Sequence, residues 1–462
     1  MRSSASKPCF WKPCFWKPLG TTLAQPHPGG KSILGKIAFG ALLLALICAA
    51  SSCLLGLVGP AEAETIRVGL HFADHAPRGL RLVGRGLWEA ERGRGRLDGE
   101  ARVTALAAGL EVRFPGAPPL AVGRWIAFSP DRDAPPLALD AAAYRGGLRV
   151  DLQSPGRLRV VNTLDLEDYL PGVVPNEIFA VPGALEAQAI ASRTLALYIR
   201  DHQRRHPASD GFDVCAEGHC QVYRGAGSET PLATQAVQRT RGQILTSRGR
   251  PILAAYHANS GGYTAETDEA WPGSLRLDYL APVPSPYDFV AGDLGYPDCY
   301  RWQVTAAPRE LRDRLLRVAG VDVGEVRDAR VTESWPSGRA KQLRIAGARA
   351  AAALSRPRDI RAVLGMRGDQ TGKPYDYDLR SLTVERKGGR FLITGYGAGD
   401  GVGLSQHGAI GMARAGLTYE EILGYYYREV ALTEDCGRGP SRSLPRPALD
   451  AVSSPAARLA RR

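Results

Sequence analysis

The segment from Asp165 to Arg200 constrains the fold most, because it joins a turn-rich loop to a long helix. The helix is rich in alanine, so neighbouring elements can approach it closely. Its core-facing residues recur at helical spacing: Leu185, Ala189, Ser192, Ala196 and Ile199. We therefore predict a buried central helix with a loop presented at its start.

The loop carries one carboxylate, Glu177, between apolar neighbours. Two interpretations stay open from the residues alone. The carboxylate could favour the N-terminus of the following helix electrostatically. Alternatively, it could serve as a general acid whose proton affinity is raised by apolar surroundings.

Two consecutive sequence motifs carry a family resemblance. The loop LEDYLPGVVPNEI and the helix ALEAQAIASRTLAL resemble the core motif of the stage II sporulation protein D family, also called the SpoIID/LytB family. The family includes lytic transglycosylases that cleave the glycan of bacterial cell walls. The resemblance implies that Glu177 is the catalytic acid.

The positive charge of the chain is concentrated at its two ends. Residues 1–36 carry +6 and residues 437–462 carry +5 of the net charge of +12, so the segment between them carries +1. A nearly neutral body has no basic groove, and nucleic acid is therefore not an expected partner. We predict that the Pro-, Ser- and Arg-rich tail, residues 437–462, is disordered.

Residues 1–63 read as an N-terminal extension followed by a targeting segment. Basic residues precede an apolar run from Ile37 to Val58, and Ala61 to Ala63 form a small-residue cleavage site. This order is typical of a signal peptide. The run is also long enough for an N-terminal membrane anchor. Either interpretation predicts an extracytoplasmic protein in the periplasm or cell envelope.

The rest of the chain predicts a mixed α/β (α+β) fold. Short alternating segments indicate a β-rich N-terminal domain over residues 64–160. The resemblance implies a catalytic domain over residues 161–436, containing the central helix. Within it, residues 300–390 predict a flanking β-rich lobe with a helix over about Ala307–Val318.

Cys215, His219 and Cys220 lie within six residues of one another. Sulfur and nitrogen donors suit zinc, although a Cys215–Cys220 disulfide is the alternative in an oxidising compartment. Some family members are similar in binding zinc at such a segment, which favours zinc. His206 and His257 are candidates for the fourth ligand. Thiolate-rich sites are usually structural, which disfavours a zinc hydrolase.

The stretch HANSGGYTAETDEAW predicts a tight glycine turn that places polar side chains beside a ligand. It resembles a family segment near the active cleft. The resemblance implies substrate contacts by His257, Ser260, Tyr263 and Trp271. An ordinary glycine turn with core aromatic residues is the alternative.

The glycine-rich stretch GYGAGDGVGLSQHGA lacks the order and the lysine of a phosphate loop. It resembles the family signature GHGVGMSQYGA, and Asp400, Ser405 and Gln406 become candidate substrate contacts. Two residues depart from the signature, since Asp400 replaces a histidine and His407 replaces a tyrosine. If Asp400 faces the cleft, its charge raises the pKa of Glu177.

The implied reaction is lytic transglycosylation of peptidoglycan glycan strands, which needs one acid/base residue, whereas ordinary hydrolysis usually needs two carboxylates. Candidate second carboxylates are Glu266, Asp268 and Glu269. The alternative is a non-catalytic wall-binding modulator, because some relatives enhance a cell-wall amidase. Glycan strands are thus the expected ligand, and an amidase is a candidate partner.

Overall fold

The computed structural model describes residues 64–72, 76–153, 156–202, 206, 208–373 and 375–447. The predicted signal peptide or anchor lies outside these residues, as does the tail from residue 448 onward. Helices and strands are mixed throughout, which confirms the predicted α+β class. Within the described ranges, no helix is long and apolar enough to cross a membrane.

A large sheet dominates the N-terminal part of the chain. Its strand order is β11-β1-β10-β9-β6-β2-β3-β4-β5, with β7 paired to β2 and β8 paired to β7. The strand bounds are β1 (Thr65–His71), β2 (Gly79–Ala90), β3 (Gly93–Ala105), β4 (Leu110–Arg113), β5 (Leu120–Gly123), β6 (Trp125–Pro130), β7 (Leu137–Leu139), β8 (Ala142–Tyr144), β9 (Gly147–Gln153), β10 (Arg157–Asp165) and β11 (Val214–Cys215).

One end of this sheet positions the rest of the molecule. Strand β1 pairs with β10 in antiparallel register, with Thr65 opposite Asp165. Asp165 is the last residue of β10, and the loop that carries Glu177 follows it. On its other side β1 pairs in parallel with β11, which brings Cys215 opposite Gly69. The sheet therefore holds both the candidate acid loop and the cysteine segment.

Four helices form the central part: α1 (Leu166–Tyr169), α2 (Val174–Glu177), α3 (Ala184–His202) and α4 (Pro231–Arg239). The helix α3 is the predicted central helix, and its predicted core stripe is buried. Fifteen of its nineteen residues are buried, so neighbours surround it rather than cover one face. Small alanine side chains on several faces make this possible.

Short elements follow the central helices. They are β12 (Ile244–Ser247), β13 (Arg250–Pro251), β14 (Tyr256–His257) and α5 (Thr267–Ala270). Strands β12 and β13 form a hairpin around residues 248–250.

The next segment has its own hydrophobic core, which includes Trp302, Leu343 and Phe391. Two three-stranded sheets build it, in the orders β15-β20-β19 and β16-β17-β18. The element bounds are α6 (Pro297–Tyr300), β15 (Arg301–Ala306), α7 (Pro308–Ala319), β16 (Val326–Ser334), β17 (Ala340–Gly347), β18 (Ala351–Leu354), α8 (Pro357–Leu364), α9 (Gly368–Thr371), β19 (Tyr377–Lys387) and β20 (Arg390–Ala398). The predicted helix is confirmed as α7.

The chain then returns to the central helices. The elements are β21 (Leu404–Ser405), α10 (Gln406–Arg414), α11 (Tyr419–Tyr426), β22 (Ala431–Thr433) and β23 (Ser441–Ser443). Strand β21 pairs in parallel with β14. The prediction of disorder from residue 437 is wrong for residues 441–443, because β23 pairs with β22. Backbone pairing does not require apolar side chains, so composition did not indicate it.

Candidate active site

The sequence around Glu177 folds into two short helices that follow β10. The Asp165 side chain caps α1 by accepting a hydrogen bond from the amide of Glu167. Glu167 forms an ion pair of 2.7 Å with Arg193, whose side chain is fully buried on α3. This buried pair fixes the loop against the central helix. Glu177 is the last residue of α2 and is 4% exposed.

Burial controls the acidity of Glu177. Removal from water raises its pKa from an ordinary 4.5 to about 7, since the charged form loses its hydration. Four groups oppose part of this effect: the Val222 amide, which donates to Oε1 at 2.6 Å, the Tyr256 side chain, the positive charge of Arg224 and the Gln406 side chain. Burial prevails, so a substantial fraction of Glu177 is protonated at neutral pH.

The structure also bears on the interpretation that Glu177 favours the N-terminus of the following helix electrostatically. At the N-terminus of α3, Glu186 accepts a hydrogen bond of 2.6 Å from the Gly183 amide. Glu186 is therefore the acid that satisfies the backbone at this helix end. Glu177 ends a separate short helix, which leaves it available for other chemistry.

Gln406 is brought directly to the acid loop. As the first residue of α10, it donates through Nε2 to the backbone carbonyl of Glu177 at 2.9 Å. The same nitrogen lies 3.1 Å from Oε1 of Gln188 on α3. Gln406 therefore joins the signature segment, the central helix and the acid loop.

Ser260 and Ser405 are fully buried and meet at a carboxylate that sequence reasoning missed. Each hydroxyl donates to Asp288 at 2.5 Å. Ser285 and the amide of Gly262 donate to the same carboxylate at 2.8 Å. Asp288 thus holds both hydroxyls in the interior, and substrate contact by Ser260 and Ser405 stays a prediction. No motif around Asp288 indicated this role.

His257 is buried as well. Its Nδ1 lies 3.0 Å from the carbonyl oxygen of Val402, and burial lowers its pKa to about 3, so the imidazole is neutral. His407 is held in a similar way by the Ala258 carbonyl at 2.7 Å. Strand β14, which carries His257, pairs with β21, and substrate contact by His257 stays a prediction. Tyr263 is half-buried and remains accessible.

Asp400 and Trp271 contact each other rather than Glu177. Trp271 is 8% exposed and donates through Nε1 to Asp400 at 3.0 Å. Arg361 lies 3.6 Å from the other carboxylate oxygen. Burial raises the pKa of Asp400. Trp271 is buried, Asp400 is half-buried, and each engages the polar group of the other; substrate contact by either residue stays a prediction.

The candidate second carboxylates are directed elsewhere. Asp268 forms an ion pair with Arg276 at 3.1 Å, and Glu269 accepts a hydrogen bond from Ser337. Burial raises the pKa of Glu266 beside these two acids. Within the described residues, Glu177 has no carboxylate among its hydrogen-bond partners.

The cysteine segment forms a four-donor cluster with His206. The ligand atoms of His206, Cys215, His219 and Cys220 all lie within 4.8 Å of one another. Cys215 Sγ lies 3.2 Å from Cys220 Sγ and 3.7 Å from His219 Nδ1, and Cys220 Sγ lies 3.5 Å from His206 Nε2. Of the two candidates for the fourth ligand, His206 and not His257 joins the cluster.

The donor set fits zinc. Tetrahedral zinc with two thiolates and two imidazoles needs ligand atoms roughly 3.5–4 Å apart. Hydrogen bonding within the cluster, first from Cys220, lowers the pKa of Cys215 and favours the thiolate that a metal requires. Asp210 lies 3.2 Å from His206 Nδ1, as a carboxylate that orients a ligating histidine does. Cys215 and Cys220 are both free cysteines in this structure, and zinc ligation stays a prediction.

Comparison with known proteins agrees with this architecture. Residues 154–247 match the family model "Stage II sporulation protein", and residues 292–403 match a domain of unknown function (DUF8618). The chain is 31% identical over 288 residues to stage II sporulation protein D of Bacillus subtilis, covering 59% of this chain and 76% of that protein.

Two further relatives show the range of similarity. An uncharacterized protein of Brachyspira hyodysenteriae is 30% identical over 281 residues, covering 60% of this chain and 68% of the relative. The amidase enhancer of Bacillus subtilis is 26% identical over 296 residues, covering 57% of this chain and 40% of the enhancer. On the extent and identity of these matches, the chain belongs to the stage II sporulation protein D family (SpoIID/LytB).

Proposed function

We propose that this protein cleaves peptidoglycan glycan strands by lytic transglycosylation, with Glu177 as the single acid/base. The observation that carries the proposal is the burial of Glu177, which raises its pKa to about 7. A general acid that must later act as a base works best when its pKa is near the working pH.

The reaction balances with this one residue. Glu177 donates its proton to the glycosidic oxygen between N-acetylmuramic acid and N-acetylglucosamine, and the bond from that oxygen to the muramyl C1 breaks. The C6 hydroxyl oxygen of the muramyl residue then bonds to C1, and the Glu177 carboxylate accepts the hydroxyl proton. The product is a 1,6-anhydro ring, and the acid is regenerated without consuming water.

The surroundings of Glu177 suit this cycle. The Val222 amide and the Tyr256 side chain stabilise the carboxylate after it has donated its proton. Gln406 holds the backbone of Glu177, which limits movement of the acid.

We propose a structural role for zinc at His206, Cys215, His219 and Cys220. Four protein ligands leave no position open for a catalytic water. Bound metal would supply folding free energy and fix the segment that follows the cluster. Val222 comes two residues after Cys220, so the cluster also supports the amide that contacts Glu177.

We propose that the protein acts outside the cytoplasm, because its proposed substrate is the cell wall. The targeting segment predicted within residues 1–63 supports this location. A non-catalytic role is the second candidate. The similarity to an amidase enhancer favours it, as does the aspartate at position 400 where the family signature has histidine. In that case the protein would bind the wall and act on a cell-wall amidase.

The two candidates differ in their products. Purified protein incubated with glycan strands should release fragments that end in 1,6-anhydromuramic acid, recognised by mass spectrometry because each lacks one water relative to a hydrolysis product. Release of reducing ends instead would indicate hydrolysis. Intact strands combined with stimulation of an added amidase would establish the modulator.

A further inference from the structure

The lobe that matches the domain of unknown function, residues 292–403, brings aromatic side chains to the acid loop. Phe179 lies two residues after Glu177. Its ring centroid is 5.3 Å from that of Tyr296 and 6.1 Å from that of His407. Tyr296 immediately precedes α6, so the first ring of the lobe touches the loop of the candidate acid.

Further rings continue from this contact. Tyr300 ends α6, about 6 Å along the helix from Tyr296. Its ring meets Tyr396 of β20 edge-on, with centroids 5.6 Å apart. Arg380 of β19 is directly opposite Tyr396, and directly opposed side chains share one face of a sheet. All five side chains are half-buried, and we call this set the aromatic row: Phe179, Tyr296, Tyr300, Tyr396 and Arg380.

The far end of the aromatic row adjoins the glycine turn. Arg380 donates a hydrogen bond to the carbonyl of Gly261. A Cβ atom at Gly261 would lie 2.7 Å from Cβ of Tyr396, and Gly261 has a φ of 65°. Only glycine permits this approach without strain. Tyr263, two residues later and half-buried, extends the surface.

We propose that the aromatic row is a subsite that binds the glycan strand beyond the cleaved bond, and that this is the role of the lobe. The identity of the ligand rests on the proposed function. Half-exposed rings offer flat apolar faces to pyranose rings. The Arg380 guanidinium offers donors to N-acetyl carbonyl and carboxylate oxygens.

The position of the aromatic row next to Glu177 indicates that its ligand is a glycan strand. The row begins two residues from Glu177 with the ring contact between Phe179 and Tyr296. The helix α6 connects this pair to the contact between Tyr300 and Tyr396, and Arg380 leads on to the glycine turn. A polymer cleaved at Glu177 must continue on at least one side of the scissile bond. A long strand therefore reaches rings that a short fragment leaves empty.

The test measures binding without turnover, in the full chain carrying Glu177→Gln. The probes are stem-free glycan strands and a stem-free tetrasaccharide, both prepared from purified walls with an amidase. Adding Tyr300→Leu and Tyr396→Leu should weaken binding of long strands by roughly five- to thirtyfold, the usual effect of removing a central tyrosine contact. Binding of the tetrasaccharide should be unchanged.

Two controls accompany the leucine pair. Tyr300→Phe with Tyr396→Phe retains the flat faces and should bind like the parent. Tyr198→Leu removes a half-buried ring stacked on His202 of α3, away from the row, and should also bind like the parent. The subsite would be overturned if the leucine pair bound long strands as tightly as the parent. It would also be overturned if the leucine pair lost equal affinity for long strands and tetrasaccharide, or if the phenylalanine pair lost as much affinity for long strands as the leucine pair.

Failure of the subsite is distinguishable from failure of the proposed function. If protein with Glu177 intact cleaves strands but the leucine pair does not weaken binding, only the subsite is wrong. If the leucine pair weakens binding of long strands selectively but protein with Glu177 intact never cleaves them, the subsite stands and the lyase proposal fails.

Discussion

Replacing Glu177 by glutamine should change the pH dependence of folding stability, with no substrate involved. Burial raises the pKa of Glu177 from 4.5 to about 7. At about 1.4 kcal/mol for each pH unit, the ionised carboxylate lowers the free energy of unfolding by about 3 kcal/mol. Glutamine has no charge to bury, so the variant lacks this penalty.

The direction of this pH dependence follows from the number of protons that the folded and unfolded chains bind. Below pH 4.5 the carboxyl is protonated in the folded and unfolded chains alike. Between 4.5 and about 7 the unfolded chain releases the proton while the folded chain retains it, so rising pH favours unfolding. Above pH 7 both states are ionised and the loss is complete. The stability contributed by Glu177 is therefore present at low pH and lost as pH rises.

Urea unfolding, followed by tryptophan fluorescence from about pH 4 to pH 8.5, measures this effect. The free energy of unfolding of Glu177→Gln, minus that of the parent, should rise by about 3 kcal/mol across the range. Contact of the new amide with the Val222 amide adds a constant offset. Glu325→Gln, which removes an exposed carboxylate, is the control. A difference independent of pH would refute a raised pKa at Glu177.

Three further predictions address the surroundings of the acid. Cys220→Ser should release zinc from the purified protein and lower its melting temperature; elemental analysis that finds no zinc in the parent contradicts this. Tyr256→Phe should raise the pKa of Glu177 and move the corresponding limb of the pH–rate profile to higher pH, because a hydrogen bond to the carboxylate is lost. A limb at the same pH would show that Tyr256 does not lower the pKa of Glu177. Asp400→His should lower the melting temperature by disrupting the contact with Trp271 but leave that limb unchanged; a shifted limb would link position 400 to the acid.

Local patterns predicted the elements that local sequence determines. The stripe on α3 and the helix α7 follow from periodicity and turn residues. The hairpin of β12 and β13 and the capping box of Thr418 and Glu421 at α11 are local in the same sense. Each of these features depends on residues close together in the chain.

The buried contacts of the site depend on distant segments and were not predictable in this way. Asp288 receives hydroxyls from Ser260 and Ser405 only because β14 pairs with β21, more than a hundred residues apart in the chain. Tyr256 and Val222 reach Glu177 through tertiary packing. A serine in a family motif does not reveal from sequence whether it faces substrate or another side chain.

The most direct test of Glu177 as the acid/base compares cleavage by the parent and by Glu177→Gln on stem-free glycan strands near pH 7. Glutamine is close in size to glutamate but has no proton to donate, and loss of a general acid costs roughly 10²–10⁴-fold in rate or more. Release of 1,6-anhydromuramic ends should therefore fall by several orders of magnitude in the folded variant. Release at a near-parental rate would contradict the assignment.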